Sequence, residues 1–184
     1  MIMSKVLIPL AQGCEELEAV TIIDLLRRAG IEVISAGLDE QPVKASRGVV
    51  LIPDTTLEKV MNELFDMVVL PGGLPGSDHL NQDQRILSIL QRTVQQGKYV
   101  AAICAAPKVL ATAGLLQHKK ATSYPAVLKS LHLSNTVCST EAVVKDGLII
   151  TSRGPGTAMD FALELIEILC NKEKRDQVEI ALVR

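Results

Sequence analysis

The chain has 184 residues, a formal net charge of -2 and 48% hydrophobic residues, which suits one domain with a sizeable core and excludes a disordered acidic tail or a basic nucleic-acid arm. Its densest basic cluster, Lys172, Lys174 and Arg175, is interrupted by Glu173, so nucleic acid is not expected as the main partner. No apolar run is long enough to span a bilayer, and Phe65, Phe161, Tyr99 and Tyr124, the only aromatic residues, leave an aliphatic core without a stacking platform for bases.

Residues 5–9 form a short apolar strand. The start is neither basic enough nor followed by a long enough apolar stretch for a secretory signal, so it reads as the first strand of a cytoplasmic protein. Residues 16–29 predict a helix closed by Gly30. Leu17, Val20, Ile23 and Leu26 recur on it at helical spacing, and Glu18, Thr21 and Asp24 form a narrower polar stripe. A strand at 32–36 completes a β-α-β start, which implies a parallel sheet with a right-handed crossover. Residues 43–53, interrupted by Ser46-Arg47-Gly48, predict a small hairpin or irregular excursion. Met67-Val-Val-Leu70 has the continuous apolar character of a central parallel strand and stops at Pro71-Gly-Gly73. A helix over 83–96 carries Ile86, Leu87, Leu90 and Val94 on one side. A strand at 99–103 and a helix at 107–113 follow. Residues 125–131 predict a short helix, and Asp146-Gly147 marks a hairpin between 142–145 and 148–151. Ala158, Phe161, Ala162, Leu165, Ile166 and Leu169 describe a final amphipathic helix. The pattern predicts a single α/β domain over 1–184, with a doubly wound, mostly parallel sheet and function at the carboxyl ends of its central strands.

Chemistry concentrates in Ala101-Ala-Ile-Cys-Ala-Ala-Pro107, where a buried strand runs into a helix. Proline is favoured in a first helical turn because its missing N–H has no intrahelical acceptor. Small residues on either side of Cys104 permit a sharp nucleophile turn, the logic of a G-x-S-x-G elbow with alanine for glycine and cysteine for serine. Free N–H groups there favour a thiolate and a developing oxyanion; Ala105 is one natural donor, and Gly73, beyond another central strand, is a second. A buried structural cysteine is the competing reading, which the strand-turn-helix context disfavours. Glu18, after the first strand, is the proposed acid partner: partly buried, it would favour its protonated form and exchange a proton with sulfur. Glu15 and Glu16 compete for that role or serve as helix-start charges.

The remaining cysteines, Cys14, Cys138 and Cys170, form no CxxC pair, and His79, His118 and His132 stand at no compact metal-ligand spacing, so neither disulfides nor a metal are expected. Gly72-Gly73-Leu-Pro-Gly76 is not a dinucleotide fingerprint. Arg153, before the last long helix, could hold an anionic substrate with help from Arg47, or could equally organise loops or a subunit contact.

Taken in order, Gly13-Cys-Glu-Glu-Leu-Glu18, Val69-Leu-Pro-Gly-Gly73, Ala101-Ala-Ile-Cys-Ala-Ala-Pro107 and Thr151-Ser-Arg-Gly-Pro-Gly-Thr157 resemble the ThiJ/PfpI superfamily, and within it the YajL-like subgroup related to the parkinsonism-associated protein deglycase. The resemblance implies a flavodoxin-like three-layer sandwich, class I glutamine amidotransferase-like, and a homodimer. It implies Cys104 as nucleophile, Glu18 as interacting acid, Gly73 and Ala105 as oxyanion donors, and Arg47 and Arg153 as pocket arginines. Tyr124 stands where some relatives carry a pocket histidine, and is taken with the arginines as substrate-binding. The implied activity is a glyoxalase or deglycase that works without glutathione or cofactor on small α-oxoaldehydes and glycated protein side chains. A redox-responsive stress protein or chaperone using oxidation of Cys104 is the alternative. Thiamine biosynthesis and intracellular proteolysis are older family labels. The peptidase-like branch has a histidine directly after its cysteine, so Ala105 argues against peptidase activity.

Overall fold

The computed structural model describes residues 4–184. The chain opens with β1 (Lys5–Leu10), α1 (Glu16–Arg28) and β2 (Glu32–Gly37). The short strands β3 (Val43–Lys44) and β4 (Val50–Leu51), the edge strand β5 (Thr55–Thr56) and the single turn α2 (Leu57–Val60) lead to β6 (Met67–Leu70). Then come α3 (Gly76–Gln82), α4 (Gln84–Gln95) and β7 (Tyr99–Ile103), followed by α5 (Pro107–Thr112), β8 (Lys120–Ala121), α6 (Val127–Ser130) and β9 (Val137–Cys138). A hairpin of β10 (Val143–Asp146) and β11 (Ile149–Ser152) precedes a 3-10 turn, α7 (Ala158–Leu169) and α8 (Lys172–Ala181).

Seven strands form one sheet in the order β10-β11-β7-β6-β1-β2-β5, parallel throughout except for the edge strand β10. Strand side chains alternate between two cores, as the period of two demands. Val6, Ile8, Met67, Val69, Ala101 and Ile103 pack under α1, α7 and α8. Leu7, Val68, Leu70, Val100 and Ala102 face the opposite layer, α2 to α6. Both faces of these strands are apolar because both are covered. The result is a three-layer α/β sandwich of flavodoxin-like type. The chain leaves β1 through α1 on one face and reaches β7 from β6 through α3 and α4 on the other, so the connections change sides between β1 and β6, and the loops after these strands meet at the carboxyl edge.

The strand expectations hold, and Asp146-Gly147 does turn the β10–β11 hairpin. The expected face of α1 is corrected. Leu17 and Val20 are exposed, and the buried set is Glu18, Ala19, Ile22, Leu25 and Leu26. The helix turns Ala19, Ile22, Leu25, Leu26 and Glu18 inward, and a backbone N–H meets the Glu18 carboxyl group. The pattern also misses α3 and α8. α8 buries only Val178 and therefore has no apolar stripe to read.

Candidate active site

Cys104 immediately follows β7 and adopts a left-handed conformation, with φ 65°. That geometry costs a non-glycine residue on the order of 1–2 kcal/mol and persists where surrounding bonds over-determine it. Here the Cys104 N–H donates to the Ser152 carbonyl at 3.0 Å, and its carbonyl accepts from the Tyr124 N–H at 2.8 Å. The Ala106 N–H returns to the Ile103 carbonyl at 3.0 Å to close the turn, and Pro107 opens α5. Ala102 and Ala106 are fully buried, leaving no room for larger neighbours. The strand-turn-helix elbow expected from sequence is thus formed, with Cys104 8% exposed.

Glu18 is entirely buried on α1. Its Oε2 accepts from the Gly72 N–H at 2.8 Å, while Oε1 has no hydrogen-bond partner. Burial pushes the carboxyl group up to about 7, against the Gly72 N–H and the Cys104 contact, which pull it down. The two side chains converge on Gly72: a Cβ placed there would lie 2.6 Å from the Cys104 Cβ and 2.7 Å from the Glu18 Oε2. Only glycine can occupy this position.

The Cys104 thiol is pushed up to about 12 by burial first and by the Glu18 carboxylate second, while the Gly73 and Ala105 N–H groups pull it down. Two backbone donors alone therefore do not outweigh burial beside an ionised Glu18. Protonation of Glu18 removes the opposing charge and turns its carboxyl group into a potential donor, so acid and thiol titrate as one coupled unit. A proton on the orphaned Oε1 also lets it donate rather than stand as a bare buried charge.

The loop carrying Gly72 and Gly73 is seated on the loop after β1. The Glu15 N–H donates to the Gly72 carbonyl at 2.9 Å, and the Gly76 N–H to the Gly13 carbonyl at 3.2 Å. Gly73 has φ 91°, and a Cβ there would lie 2.3 Å from the Glu15 nitrogen. The roles of Gly72 and Ser152, which hold Glu18 and Cys104 respectively, went unrecognised in the sequence. The paired glycines after an apolar strand carried the signal for the first; nothing local marks the second.

Glu15 and Glu16 bind the β3–β4 turn, although the Glu15 charge also raises Glu18. Both accept from the Ser46 hydroxyl, at 2.8 and 3.0 Å, and Glu16 also accepts the Arg47 N–H at 2.9 Å. Arg47 is exposed on the β3–β4 turn, its guanidinium reaching only the Ser46 carbonyl at 3.5 Å. Arg153 and Tyr124 instead line one cleft of about 200 Å³. The three histidines are exposed. Among the described residues no three His, Cys, Asp or Glu side chains come together to hold a metal ion, and no helix is long and apolar enough to cross a membrane.

The sequence pattern of the DJ-1/PfpI family matches residues 4–168, a span that includes β1 to β11 and every residue of the elbow. The chain belongs to the DJ-1/PfpI family. Protein dj-1beta of Drosophila melanogaster is 46% identical over 183 residues, covering 98% of each chain. Its crystal structure superposes with a TM-score of 0.95 over 99% of this chain and 98% of that one. The structure of oxidised DJ-1 from Toxoplasma gondii is 41% identical, with a TM-score of 0.93 and 98% of both chains covered. The glutathione-independent glyoxalase DJR-1.2 of Caenorhabditis elegans is 35% identical over 91% of this chain and 89% of its own. These DJ-1/PfpI relatives are eukaryotic DJ-1 proteins, and the likeness does not separate out a YajL-like subgroup.

Proposed function

We propose that the protein is a cytoplasmic, cysteine-dependent glyoxalase and deglycase that acts on small α-oxoaldehydes such as methylglyoxal and on their early protein adducts, without glutathione or cofactor. The observation that carries this reading is the juxtaposition of a strained Cys104 with a fully buried Glu18 whose carboxyl group is held toward its protonated form. The likeness to a nematode glyoxalase that needs no glutathione supports it.

In this mechanism Glu18 and Cys104 exchange one proton, and sulfur attacks the aldehyde carbon to form a hemithioacetal. The Gly73 and Ala105 N–H groups stabilise the oxygen as it becomes negative. The aldehyde C–H proton moves to Glu18 and is returned to the adjacent carbon as the ketone becomes an alcohol, leaving an acyl group on sulfur. Water cleaves the thioester, releasing a hydroxy acid (lactate from methylglyoxal) and the free thiol. Carbon is oxidised at one centre and reduced at its neighbour, so no external oxidant is required. On an early adduct, a hemiaminal, the C–N bond breaks, the amine leaves with a proton from Glu18, and sulfur bonds to the freed carbon to give the same hemithioacetal.

The test incubates purified protein with methylglyoxal in the absence of glutathione, assays chiral lactate and maps trapped adducts by mass. Turnover that depends on Cys104 and Glu18, with the adduct on Cys104, is the expected result. Hydroxy acid formed equally fast by Cys104→Ala sinks the mechanism.

A redox-responsive role uses the same thiol and is supported by the oxidised state of the Toxoplasma relative. Sulfinate oxygens at Cys104 would accept from the Gly73 and Ala105 N–H groups. Intact mass after graded peroxide should show Cys104 oxidised first; oxidation confined to Cys14, Cys138 or Cys170 removes this reading. A homodimer is supported by Leu17 and Val20, which stand 51% and 47% exposed on α1. Light scattering that finds only monomer at working concentrations would reject it.

A further inference from the structure

The two N–H groups that favour charge on sulfur, those of Gly73 and Ala105, stand ahead of two different helices. Gly73 precedes α3, and its carbonyl accepts from the Ser77 N–H at 2.9 Å in the first turn of that helix. Ala105 precedes α5, and its carbonyl accepts from the Lys108 N–H at 3.4 Å in the first turn of that one. Each donor is tied to its own helix, so the spacing between the donors depends on how α3 and α5 are held together. Leu80 of α3 shares a core with Val109 and Leu110 of α5, but apolar packing is non-directional. The directional link is an ion pair in which Lys108 donates to Asp78. Among the described residues it is the one side-chain hydrogen bond that joins α3 to α5. The Lys108 side chain is only 17% exposed and that of Asp78 49%, so the bond lies at the edge of the interface, half out of water. Ser77, fully buried beside Asp78, has no hydrogen-bond partner for its hydroxyl and does not share this task.

From this we infer that Lys108 and Asp78 are a positioning pair, whose bond sets the spacing of the Gly73 and Ala105 N–H groups around the sulfur and the substrate oxygen that they stabilise. Donors of this kind act by being fixed in place before charge develops, and a small displacement forfeits much of their effect. A charge-assisted bond between two helical first turns supplies that fixity. Lys108 follows Cys104 by one helical turn, yet its charge is not among the causes that shift the thiol, which are burial, Glu18 and the two N–H groups. The pair therefore acts through the donors and not by its own charge on sulfur. For turnover this role rests on the glyoxalase reading; for the reactivity of the thiol it does not.

Two measurements separate the claims. The first uses methylglyoxal with Lys108→Met, which keeps the stem and removes the charge, and Asp78→Asn, which keeps the shape and removes the charge. Each should lower kcat by about tenfold and leave KM within about twofold, the pattern of an interaction felt in the transition state. Lys108→Arg, which keeps the charge and the donors, should recover most of that loss. The double variant should be no slower than the slower single one, because the same bond is missing from all three. An intact kcat in either single variant, or losses that multiply in the double, overturns the pair. The second measurement follows alkylation by iodoacetamide across pH, mapped by mass to Cys104, in the parent and both single variants. Displaced donors should move the midpoint of the Cys104 profile up by about half a pH unit, roughly a threefold slower reaction at pH 7. That shift, shared by both variants, supports the pair even if methylglyoxal is not turned over. An unchanged midpoint in either variant overturns it whatever happens to Tm, because a pair that only held two helices together would lower Tm and leave the profile alone.

Discussion

Cys14 and Cys104 are two buried thiols at one edge of the same sheet, each raised to about 12 with burial as the largest cause. Burial and acidity do not distinguish them; their other neighbours do. Around Cys14 the charges of Glu16, Glu15 and Glu18 all raise the thiol further, opposed only by its own backbone N–H. Cys104 has two donors from other residues, Gly73 and Ala105, and a left-handed backbone locked between β11 and the loop before α6. A reactive cysteine here is defined by what can receive its negative charge. The sharpest test replaces each thiol in turn. Cys104→Ala should lose hydroxy-acid formation by at least about 10³-fold, the scale seen when a nucleophile is removed from its constellation. Cys14→Ala should stay within about twofold, as for a residue that touches no reacting atom. Comparable losses in both variants would erase the distinction.

The second effect concerns the acid that both thiols feel. Glu18→Gln keeps the shape and leaves a group able to hydrogen-bond near Gly72, but cannot carry a proton between carbons. It should lower turnover at least about a hundredfold, the lower range for a lost general acid–base. The limb of the rate profile near pH 7 should vanish with it. A variant that retains the limb would assign the titration to another group.

The same carboxyl group leaves a stability signature. Its pKa in the folded chain is about 7, above its ordinary value of 4.5, so between those values the folded state binds more protons than the unfolded state. Stability should therefore be highest below pH 4.5 as far as this group is concerned, fall as the pH rises, and level off above about 7. The contribution is on the order of 3 kcal/mol. Cys104→Ala is the background in which to read it, because no thiol then competes for the proton. Chemical denaturation of Cys104→Ala across this range should show the decline, and adding Glu18→Gln should flatten it. An equal slope in both chains would mean that Glu18 is not the source.

Much of this centre was legible in the chain. A continuous apolar strand ending at Cys104, followed by Pro107, dictates a strand-turn-helix junction from local rules alone, and Ala105 follows as a donor. Glu18 was half legible. Its position after β1 pointed to the site, yet periodicity put it on a solvent stripe, because a hydrophobicity pattern does not register that the Gly72 N–H, from a distant loop, stabilises a buried carboxyl group. Arg47 and Arg153 were grouped by resemblance; Arg47 sits on the exposed β3–β4 turn and Arg153 shares a cleft with Tyr124. Lys108 and Asp78 carried no signal, since their pairing depends on the packing of segments that no short-range rule connects.

Gly72 offers a smaller perturbation that couples the two halves of the site. A methyl group there meets the Cys104 Cβ, the Glu18 Oε2 and the Ile103 carbonyl oxygen, all inside 3.0 Å, and two of the three belong to groups that cannot retreat without moving β7. Gly72→Ala should cost about 1–3 kcal/mol, as overpacking of a filled interior does. For a chain of this length that lowers Tm by about 2–4 °C per kcal/mol. The corresponding change at Gly97, where a Cβ would meet nothing within 4 Å, tests only backbone strain at its φ of 72°. A Gly72→Ala chain as stable as Gly97→Ala would show that the crevice is looser than its geometry implies.

The smallest expected effect isolates the strain at the nucleophile. Cys104→Ala and Cys104→Gly both remove sulfur, so neither supports turnover, and they differ chiefly in the freedom of residue 104 to hold φ 65°. Alanine retains the penalty of a Cβ in the left-handed region. Glycine relieves it but has a more disordered unfolded state, an opposing effect of somewhat smaller size. Cys104→Gly should therefore be the more stable of the two by about 1 kcal/mol, read as a Tm higher by about 2–4 °C. That ordering would mean that the fold holds a strained backbone at this one position to aim sulfur between Gly73 and Ala105. Cys14, a right-handed or extended residue of the neighbouring loop, should show the opposite ordering, Ala above Gly, because glycine there relieves no strain and adds only unfolded-state freedom.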